Sequence, residues 1–582
     1  MQVHRLFDIP QRQRALFPKP DAIATKEDGQ WRKYPIEEVI ATSEKLALGL
    51  LALGVGPGDK VAIGSGNRSE WCLVDQAVLR IGAITVPIYP TSSSEDYAFI
   101  LQHAQVKVCF SSNADIHSKA AGAEGVQHLF TFDRTEGARH WTEVLEMAGN
   151  SDQGKLRQYE AEVKRDDLAT IIYTSGTTGK PKGVMLTHGN ILSNIEGSIP
   201  RLPVDAGAKS ISFLPLSHIY ERMLMYLYMY AGVSIYFQET LEDLGDRIRE
   251  VQPEVFTAVP RLLEKIYDKI VAKGEDLTGI KRKLFFWALD LGLRYEVHGT
   301  GAWYDLQLKL ARKLIFSKWK EALGGNVRVI ASGSAALQPR LARVFNAAGI
   351  PLMEGYGLTE SSPVISVNDF REDGLRFGSV GRPLHNVEVM IADDGEILAR
   401  GPNIMQGYFK EEEMTREVID AQGWLHTGDI GKIDHEGFLY ITDRKKEIFK
   451  TSGGKYVAPQ VLENKLKESR FIEQVMVIGE NRKFPAALIV PNFPFLEEYC
   501  KLKGIPFESR EHVVKETRIV QRIFKEVEKA GAEMGRWERV KKITLLPQEW
   551  TIEGGELTPS MKLRRKPILA KYAADVEEIY VD

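Results

Sequence analysis

A run of glycines, hydroxyl side chains and lysines occupies residues 173–183, with the sequence YTSGTTGKPKG. Glycines let a backbone turn its N–H groups towards an anion, hydroxyls donate hydrogen bonds to phosphate oxygens, and Lys180 and Lys182 supply positive charge. The flanking runs LATIIY and VML have the composition of strands. The pattern predicts a loop between two strands that holds a polyphosphate.

Two other interpretations of this loop fit less well. The Walker A pattern of P-loop NTPases requires glycine where Thr174 stands, and serine or threonine where Pro181 follows Lys180. A flexible Gly/Thr surface hairpin would explain the turn residues but not the density of glycines and hydroxyls. A phosphate loop of a different kind is therefore the favoured hypothesis.

Further motifs recur along the chain, and together with the loop they resemble the adenylate-forming superfamily of acyl-CoA and aryl-CoA synthetases, luciferases and peptide-synthetase adenylation domains. They follow one another in the family's order: LPLSHIYER at 214–222, GSAAL at 333–337, GYGLTE at 355–360, GP at 401–402 with GY at 407–408, TGD at 427–429, DR at 443–444, SGGK at 452–455 and LTPSMKLRR at 557–565. The Glu-Arg end of LPLSHIYER is most similar to the long-chain fatty acid branch.

The resemblance implies a carboxylate that attacks the α-phosphate of ATP, giving acyl-AMP and pyrophosphate, and a thiol that then displaces AMP. Its implied ligands are ATP, Mg²⁺ and, as co-substrate, CoA. The residues matched to nucleotide contacts are Thr174, Ser175, Gly176, Thr177, Thr178, Gly179, Lys180, Gly333, Ser334, Ala335, Tyr356, Gly357, Asp429, Ile441 and Arg444. The pantetheine arm of CoA would pass the loop of Ser452, Gly453 and Gly454.

Two neighbouring residues are matched to the phosphates and the metal. Glu360 corresponds to the Mg²⁺ ligand and Thr359 to a donor to the α-phosphate. One carboxylate suits Mg²⁺, which combines it with phosphate oxygens and several waters. The alternative for Glu360 is a solvated glutamate near a helix start, where acidic residues are common.

Small and acidic residues are matched to the nucleoside. Gly333 to Ala335 would lie against the adenine, and Tyr356 would stack on its other face. Taken alone, GSAAL is also an ordinary strand-to-helix turn before Pro339. Asp429 would accept hydrogen bonds from both ribose hydroxyls. Arg444 would make a second ribose or phosphate contact, with Ile441 packed nearby.

Two lysines receive separate roles from the resemblance. Lys446 matches the family's hinge position, so we expect domain alternation about this residue between the half-reactions. Lys562 matches the lysine that bridges carboxylate and α-phosphate oxygens during adenylation. The family has glycine before that lysine and this chain has Met561, so Arg564 and Lys566 remain alternatives.

An apolar channel is expected for the acyl group. His218 matches the junction of the acyl and pantetheine tunnels, and Tyr220 with the uncharged stretch 223–237 supplies candidate wall residues, among them Met223, Met225 and Tyr228. A methionine and aromatic stripe at helical spacing is more often protein core. No general base for the CoA thiol is identifiable.

The elements that must position these residues alternate between helix and strand. Helical spacing is present at 39–52 and 71–80, and short apolar runs at 61–64, 84–88 and 106–110 indicate strands. The region 239–320 is charged and periodic, hence mostly helix. Residues 378–440 are typical of antiparallel strands, with Asp394-Gly395 as a hairpin turn, and a new helix is expected from Pro459.

The fold class is therefore α/β, with a large N-terminal domain of layered sheets and helices and a β-rich subdomain, followed by a small mobile α+β domain. The charged cluster DRKK at 443–446 is the clearest boundary. It divides the chain into an AMP-binding and acyl-binding domain at 1–443 and a C-terminal domain at 444–582.

Composition excludes several classes of protein. The 582 residues carry a net charge of −3, which gives no global attraction to nucleic acid or anionic lipid. Three distant cysteines provide neither a disulfide framework nor a zinc site. With no signal-like or transmembrane run, the expected location is cytoplasmic; peripheral membrane contact through 223–237 is an alternative, with burial as the other explanation of that stretch.

The favoured function is an ATP-dependent acid–thiol ligase acting on medium- or long-chain fatty acids. Two rivals stay open: an acyl-AMP ligase that loads an acyl carrier protein, and a non-catalytic acyl- or nucleotide-binding protein. Chain length, oligomeric state and resting conformation are not determined by the sequence.

Overall fold

The computed structural model describes residues 2–175, 181–371, 373–532, 534–558 and 561–581. They form two compact units. The first comprises Met1–Met390, Leu398–His426 and Asp434–Leu439, and the second comprises Ile391–Ile397, Thr427–Ile433 and Tyr440–Asp582. The predicted class of a large α/β part and a smaller C-terminal part is confirmed.

Within the described residues of the first unit, nine strands form sheet A. Their spatial order is Arg382–Pro383, Val364–Val367, Leu352–Gly357, Val329–Ser332, Val255–Ala258, Lys209–Ser212, Ser234–Phe237, Ile23–Glu27 and Gln30–Tyr34. The inner strands are parallel. They are buried and rich in β-branched residues, as expected for parallel strands covered on both faces.

Eight described strands form sheet B, in the order Gly407–Tyr408, Pro181–Thr187, Leu168–Ser175, Ile84–Ile88, Lys60–Gly64, Val106–Ser111, His128–Thr131 and Arg139–His140. Leu168–Ser175 and Pro181–Thr187 pair antiparallel, with Thr174 opposite Lys182 and Ser175 opposite Pro181. The sequence prediction of two strands around the phosphate loop is confirmed. Residues 176–180, which carry most of the predicted phosphate contacts, lie outside the described residues.

Helices cover both faces of each sheet. Those of the first unit are Ile9–Leu16, Ile36–Ala52, Ser69–Arg80, Ser94–Ala104, Ala114–Ala121, Thr142–Glu146, Gln153–Glu162, His188–Ser198, Ile219–Ala231, Leu244–Val251, Pro260–Glu275, Gly279–Leu293, Ala302–Ala311, Ser317–Ala322, Pro339–Ala347 and Glu412–Val418. One apolar core joins residues of both sheets with the helix Ile219–Ala231, and separate cores lie on the outer faces of the two sheets. The layered arrangement predicted from the alternating pattern is thereby confirmed.

The region 378–440 contains the expected strands and one element that was missed. Besides strands already given, it holds Glu388–Ile391, Glu396–Arg400, Leu425–Ile433 and Leu439–Arg444. Gly395 has a φ of 86° and its N–H donates to the Ala392 carbonyl at 2.8 Å, which confirms the Asp394-Gly395 turn. The helix Glu412–Val418 was not predicted, and the strand Val255–Ala258 interrupts the region expected to be mostly helix.

The second unit is an α+β structure. Its described strands Ile472–Ile478, Ala486–Pro491 and Lys542–Leu545 form one sheet, and Phe449–Lys450 pairs with Tyr456–Val457. Its helices are Pro459–Leu466, Phe493–Lys503, Arg510–Val513, Thr517–Ala530, Arg565–Lys571 and Ala573–Tyr580. The helix starts at Pro459 as predicted, since proline is preorganised for a first helical position. Among the described residues, no helix is both long enough and apolar enough to cross a bilayer.

Candidate active site

A deep apolar cleft opens in the first unit between sheet A and the helix Ile219–Ala231. It encloses about 780 Å³, its open mouth included. One wall is the helix, which contributes Tyr220, Met223, Leu224, Leu227 and Tyr228. These positions follow the three-four spacing of a single helical face, so one side of the helix forms the whole wall.

The opposite wall is built from alternate residues of parallel strands. Val329, Ala331 and Gly333 follow one another at intervals of two and therefore point to the same face of sheet A. Val255 and Met353 line the cleft from the neighbouring strands. From residue 329 to residue 333 this wall runs about 13 Å at the rise of a strand. From residue 220 to residue 228 the helical wall runs about 12 Å.

The cleft leads from the predicted nucleotide residues into the apolar interior. Gly333, Ser334, Tyr356 and Gly357 all line it. Ala335, the next residue of the GSAAL loop, is not among the lining residues. Gly357 admits no side chain, since a Cβ there would lie 1.8 Å from the Pro363 carbonyl oxygen. The structure thus joins the predicted adenine residues and the predicted acyl residues in one cleft.

His218 stands at the start of the helical wall and lines the cleft. Its Nδ1 accepts the Tyr220 backbone N–H at 3.1 Å and caps the helix. With Nδ1 as acceptor, the proton of the neutral ring is on Nε2. Of the three wall candidates named from the sequence, Met223 and Tyr228 line the cleft, while Met225 is buried elsewhere in the core.

Glu360 is held beside the phosphate-loop hairpin. It lies in the short 3₁₀ turn Thr359–Ser361, and its Oε1 accepts a hydrogen bond of 2.8 Å from the Tyr408 hydroxyl. Tyr408 pairs with the hairpin strand at Val184, and the Lys182 Nζ lies 5.1 Å from the centre of the Tyr408 ring. Burial, reinforced by the Glu360 charge, raises the pKa of Tyr408. Its hydroxyl therefore stays protonated and keeps donating to the carboxylate.

Tyr408 contacts the candidate metal ligand Glu360, a role that its sequence motif does not predict. The GY pair at 407–408 is part of the family motifs, and this motif is the sequence signal that could have identified Tyr408 as a site residue. Thr359 is buried next to Glu360. Within the described residues, no group of three or more His, Cys, Asp or Glu side chains is placed to hold a metal ion. A cation here would take one protein carboxylate and complete its shell from phosphate oxygens and water.

Glu354 supports the GSAAL loop from below and was also missed. This buried carboxylate accepts the Leu337 N–H at 2.9 Å. Burial raises the pKa of Glu354 to about 8, opposed by that hydrogen bond. The strand Leu352–Gly357, which carries the predicted adenine-stacking residue Tyr356, therefore also fixes the loop of Gly333.

We expect Glu354→Gln to change how stability depends on pH. Because the folded-state pKa lies above the unfolded value of about 4.3, the contribution of Glu354 to stability is full below that value and is lost as pH rises towards 8. Glutamine does not titrate, so the variant should gain on the wild type by up to about 1.4 kcal/mol per pH unit in this window. Urea unfolding across the window measures the gain. Parallel pH profiles would contradict the assignment.

The Glu-Arg end of LPLSHIYER is structural. Arg222 forms a fully buried ion pair with Asp75, at 2.6 Å from Nη2 to Oδ1 and 3.1 Å from Nε to Oδ2. Thr85 and Tyr226 also donate to the Asp75 carboxylate. Glu221 accepts from Thr257, and burial raises the pKa of Glu221 to about 7. Glu221 thus fastens the wall helix to sheet A, and Arg222 fastens it to the helix Ser69–Arg80, which carries Asp75. Neither side chain lines the cleft.

The second unit brings together the predicted ribose residues. Arg444 Nε lies 3.0 Å from Asp429 Oδ1. Lys445 bridges Glu396 and Asp394 at 2.8 and 2.6 Å. Ile441 is half-buried on the strand Leu439–Arg444 that ends at these residues. Acidic and basic side chains are thus paired at the end of the strand Leu439–Arg444.

Lys446, the predicted hinge residue, follows Arg444 and Lys445 in the sequence. Lys446 is exposed, and the N–H groups of Glu447 and Ile448 donate to the Arg444 carbonyl in the turn around it. Asp443, just before this turn, is buried, and its Oδ2 has no hydrogen-bond partner among the described residues. Burial raises the pKa of Asp443 to about 7, with the nearby Glu447 charge adding to the shift.

The predicted CoA loop is an exposed turn. Ser452, Gly453 and Gly454 lie between the paired strands Phe449–Lys450 and Tyr456–Val457, and the Thr451 N–H donates to the Lys455 carbonyl at 2.9 Å. The turn presents its backbone to solvent, which suits close approach by an extended ligand.

Lys562 is exposed on a turn, and Met561 stands before it where the family pattern has glycine. Met561 has a φ of 63°, which lies in the left-handed region that glycine favours, so this position has the backbone conformation for which glycine is suited. The Thr558 N–H donates to the Lys562 carbonyl at 2.8 Å, and the Lys562 N–H donates to the Thr558 hydroxyl at 3.1 Å. The backbone of Lys562 is thus fixed while its side chain projects outward.

Arg565 anchors the same segment and was not anticipated. Its guanidinium donates to Glu447 at 3.2 Å, to the Val477 carbonyl at 3.0 Å and to Glu463. One side chain thereby ties the Lys562 segment to the residue after the predicted hinge and to the sheet of the second unit. Lys566 is exposed, and the backbone N–H of Arg564 donates to the Glu556 carbonyl.

The described site residues therefore fall into two groups. The first unit holds Thr174, Ser175, His218, Gly333, Ser334, Ala335, Tyr356, Gly357, Thr359 and Glu360. The second holds Asp429, Ile441, Arg444, Lys446, Ser452, Gly453, Gly454 and Lys562.

Known proteins share both sequence and fold with this chain. Long-chain-fatty-acid–CoA ligase FadD15 of Mycobacterium tuberculosis is 34% identical over 95% of this chain and 93% of its own. The peroxisomal long chain acyl-CoA synthetase 7 of Arabidopsis thaliana is 35% identical over 93% of this chain and 81% of its own.

Solved structures show the same fold at lower identity. The anthranilate CoA ligase AuaEII, in complex with anthranoyl-AMP, superimposes with a TM-score of 0.75 at 18% identity and covers 99% of both chains. The O-succinylbenzoate CoA synthetase MenE of Bacillus subtilis, with ATP and magnesium ion, has a TM-score of 0.69 at 22% identity over 97% of this chain and 99% of its own.

Two family models match nearly the whole chain. The model described as AMP-binding enzyme matches residues 12–409, and that described as AMP-binding enzyme C-terminal domain matches residues 446–582. Together with relatives above 30% identity along most of their length, these matches show the family. The chain belongs to the AMP-binding enzymes, the adenylate-forming family that its motifs resemble.

Proposed function

We propose that the protein is an acid–thiol ligase that activates medium- or long-chain fatty acids with ATP and transfers the acyl group to CoA. The observation that carries the proposal is the cleft, which begins at Gly333 and Tyr356 and continues between apolar walls for about 12 Å. A carboxylate at the mouth would meet the nucleotide, and an alkyl tail would occupy the interior. The relatives named above, a fatty-acid–CoA ligase and an acyl-CoA synthetase, support this choice.

The first half-reaction joins a carboxylate oxygen to the α-phosphorus of ATP and breaks the bond to the β-phosphate, releasing pyrophosphate. Lys182 and the hairpin loop would neutralise phosphate charge, and Thr359 would donate to the α-phosphate. Glu360 fits Mg²⁺, since its carboxylate is oriented by Tyr408 beside the hairpin. When bound, the ion supplies charge neutralisation on the phosphates.

The second half-reaction joins the CoA sulfur to the acyl carbon and releases AMP, while the thiol proton leaves to solvent or a base. His218, with Nδ1 occupied as helix cap, would present Nε2–H at the cleft. Ser452 to Gly454 would line the pantetheine path. Asp429 and Arg444 would contact the ribose, and the paired geometry of the two side chains supports that role.

We further propose that residues 1–443 and 444–582 act as the two functional domains, with Lys446 as the hinge between half-reactions. The exposed turn around Lys446 and the anchoring of the Lys562 segment by Arg565 support this division. The family models, which match residues 12–409 and 446–582, leave the same segment between them.

Pyrophosphate release tests the proposal. It is measured with straight-chain, branched and aromatic acids, with free CoA and with a phosphopantetheinylated carrier protein. We expect release to depend on a fatty acid and AMP release to be stimulated by CoA. Stimulation by the carrier alone would favour the acyl-AMP ligase. No acid-dependent release across the panel would favour a non-catalytic binding protein and overturn the proposal.

Blocking the cleft at two depths should shift chain-length preference. Ala331 and Val329 lie on one wall, about 7 Å apart at the rise of a strand. We expect Ala331→Phe to lower kcat/KM for long-chain acids tenfold or more while sparing short ones, and Val329→Phe to move the cut-off to longer chains. Kinetics over a series of saturated acids measures both. If both variants lose activity equally at all lengths, with thermal unfolding unchanged, the tail does not lie along this wall.

A further inference from the structure

Exposed apolar side chains of the first unit recur along one helical segment, which is separate from the 223–237 segment. In that segment, Met223 to Met229 are buried, so its apolar character is explained by the core. The exposed side chains are instead Trp303, Leu306, Leu310 and Leu314, at 73%, 58%, 49% and 43% exposure. They recur at intervals of three and four along Ala302–Ala311 and the following π-helical turn Arg312–Phe316. We call them, with Ile280, the Trp303 stripe.

Ile280 belongs to this stripe through the packing of two helices. The Tyr304 hydroxyl donates to the Leu291 carbonyl, and Trp287 Nε1 donates to Gln307. These pairs show that Gly279–Leu293 runs antiparallel to Ala302–Ala311. The same register carries Ile280, 75% exposed, to the level of Leu314.

The stripe is not a frayed or badly packed helix face. Tyr304, Leu308 and Phe316 of the same helical segment are buried in the core on the outer face of sheet A. The helix therefore already has its apolar face in the protein and presents a second one to solvent. A row of exposed apolar side chains at helical spacing is the kind of surface that marks an interaction site.

The charges around the stripe indicate what covers it. Residues 279–318 contain eight lysines and arginines and three acidic residues, a local charge of +5 in a chain of −3. Lys281, Lys283, Lys309 and Lys313 are all exposed on the two helices. The one acidic side chain on Ala302–Ala311 is Asp305. Tryptophan and leucine flanked by lysines are the composition of helices that lie in the headgroup region of anionic membranes.

We propose that the Trp303 stripe docks the protein on an anionic lipid surface. The apolar side chains enter the boundary between headgroups and acyl chains, and the surrounding lysines pair with lipid phosphates. The stripe lies on the face of sheet A opposite to the cleft, since the cleft residues belong to the core between the sheets. Docking thus attaches the enzyme without occupying its substrate entrance.

Vesicle flotation tests the proposal without any substrate, so its outcome is independent of the proposed reaction. The full-length protein is mixed with vesicles of phosphatidylcholine alone or of phosphatidylcholine with phosphatidylglycerol in a three-to-one ratio. We expect binding to the anionic vesicles that weakens with salt. The triple variant Trp303→Ser, Leu306→Ser, Leu310→Ser should lose tenfold or more of the bound fraction. Lys309→Gln with Lys313→Gln should lose the preference for phosphatidylglycerol.

A matched control is available on the helix Phe493–Lys503. Leu502 is 79% exposed between the exposed Lys501 and Lys503, so Leu502→Ser with both lysines changed to Gln removes comparable groups elsewhere. This control should float like the wild type. Thermal unfolding of all variants shows that the fold is retained.

Three results would overturn the proposal: no flotation of the wild type, equal flotation of the triple variant, or equal flotation with both lipid mixtures. Light scattering without lipid tests whether a second copy of this chain, rather than a membrane, covers the Trp303 stripe. If the wild type is an oligomer that the triple variant dissociates, and vesicle binding is absent, the stripe is a contact between copies of this chain and the membrane proposal fails.

Discussion

Lys562→Ala is expected to slow acyl-AMP formation about a hundredfold or more while leaving thioester formation from supplied acyl-AMP nearly unchanged. Losing one preorganised electrostatic contact to developing charge typically costs about 3 kcal/mol in the transition state, which is that factor in rate. The backbone of Lys562 makes two hydrogen bonds with Thr558, and the substitution leaves the groups that form them in place. Pyrophosphate exchange measures the first step, and AMP release from synthetic acyl-AMP with CoA measures the second.

Lys566→Ala is the matched control for this experiment. Lys566 is also exposed on the same basic segment, at the start of the helix Arg565–Lys571. If its loss damages adenylation and that of Lys562 does not, the motif has been aligned wrongly by four residues. Equal damage of both half-reactions by Lys562→Ala would contradict a role confined to adenylation.

Asp75→Ala is expected to produce the largest loss of stability, about 3–5 kcal/mol. It leaves the Arg222 guanidinium fully buried without its carboxylate, and Arg222 Nη1 already has no hydrogen-bond partner among the described residues. Two further donors, Thr85 and Tyr226, lose the same acceptor. Chemical denaturation measures the free energy of unfolding.

A double variant separates charge from packing. Replacing both partners, Asp75→Leu with Arg222→Met, removes the buried charges together, and we expect it to recover most of the loss. If the single variant is as stable as the wild type, the ion pair does not hold the wall helix. If the double variant is no better than the single one, the loss comes from shape and not from the unpaired charge.

Local patterns predicted the local elements well. The largely apolar run Ile84–Ile88 is a strand with the predicted bounds, and the helix that begins at Pro459 follows from the proline itself. The Gly395 turn was likewise readable, because glycine at positive φ is what such a turn requires. The helix Glu412–Val418 was missed because its sequence, EEMTREV, has a single apolar pair, Met414 and Val418, which is too short a stripe to predict a helix.

Long-range partners could not be read from the chain. Asp75 and Arg222 are 147 residues apart, and no sequence pattern around either residue predicts that they form a pair. Tyr408 and Glu360 meet only because a two-residue strand joins the phosphate-loop hairpin. Glu354 resembled an ordinary strand residue until burial under the GSAAL loop gave it a role. The order of the motifs predicted the residues of the site. The residues that hold them in place became apparent only from the packing of the folded chain.

The two walls of the cleft differ in their rise per residue, because one is a strand and the other a helix. This difference restricts which sequence changes can alter the length of the cleft. Inserting one residue between Val329 and Ala331 would place these two side chains on opposite faces of the sheet. Inserting one into Ile219–Ala231 would rotate its lining residues by about 100° away from the cleft. Neither insertion lengthens the cleft. On this scaffold we therefore expect acyl preference to change through side-chain volume at lining positions, a route open to single substitutions.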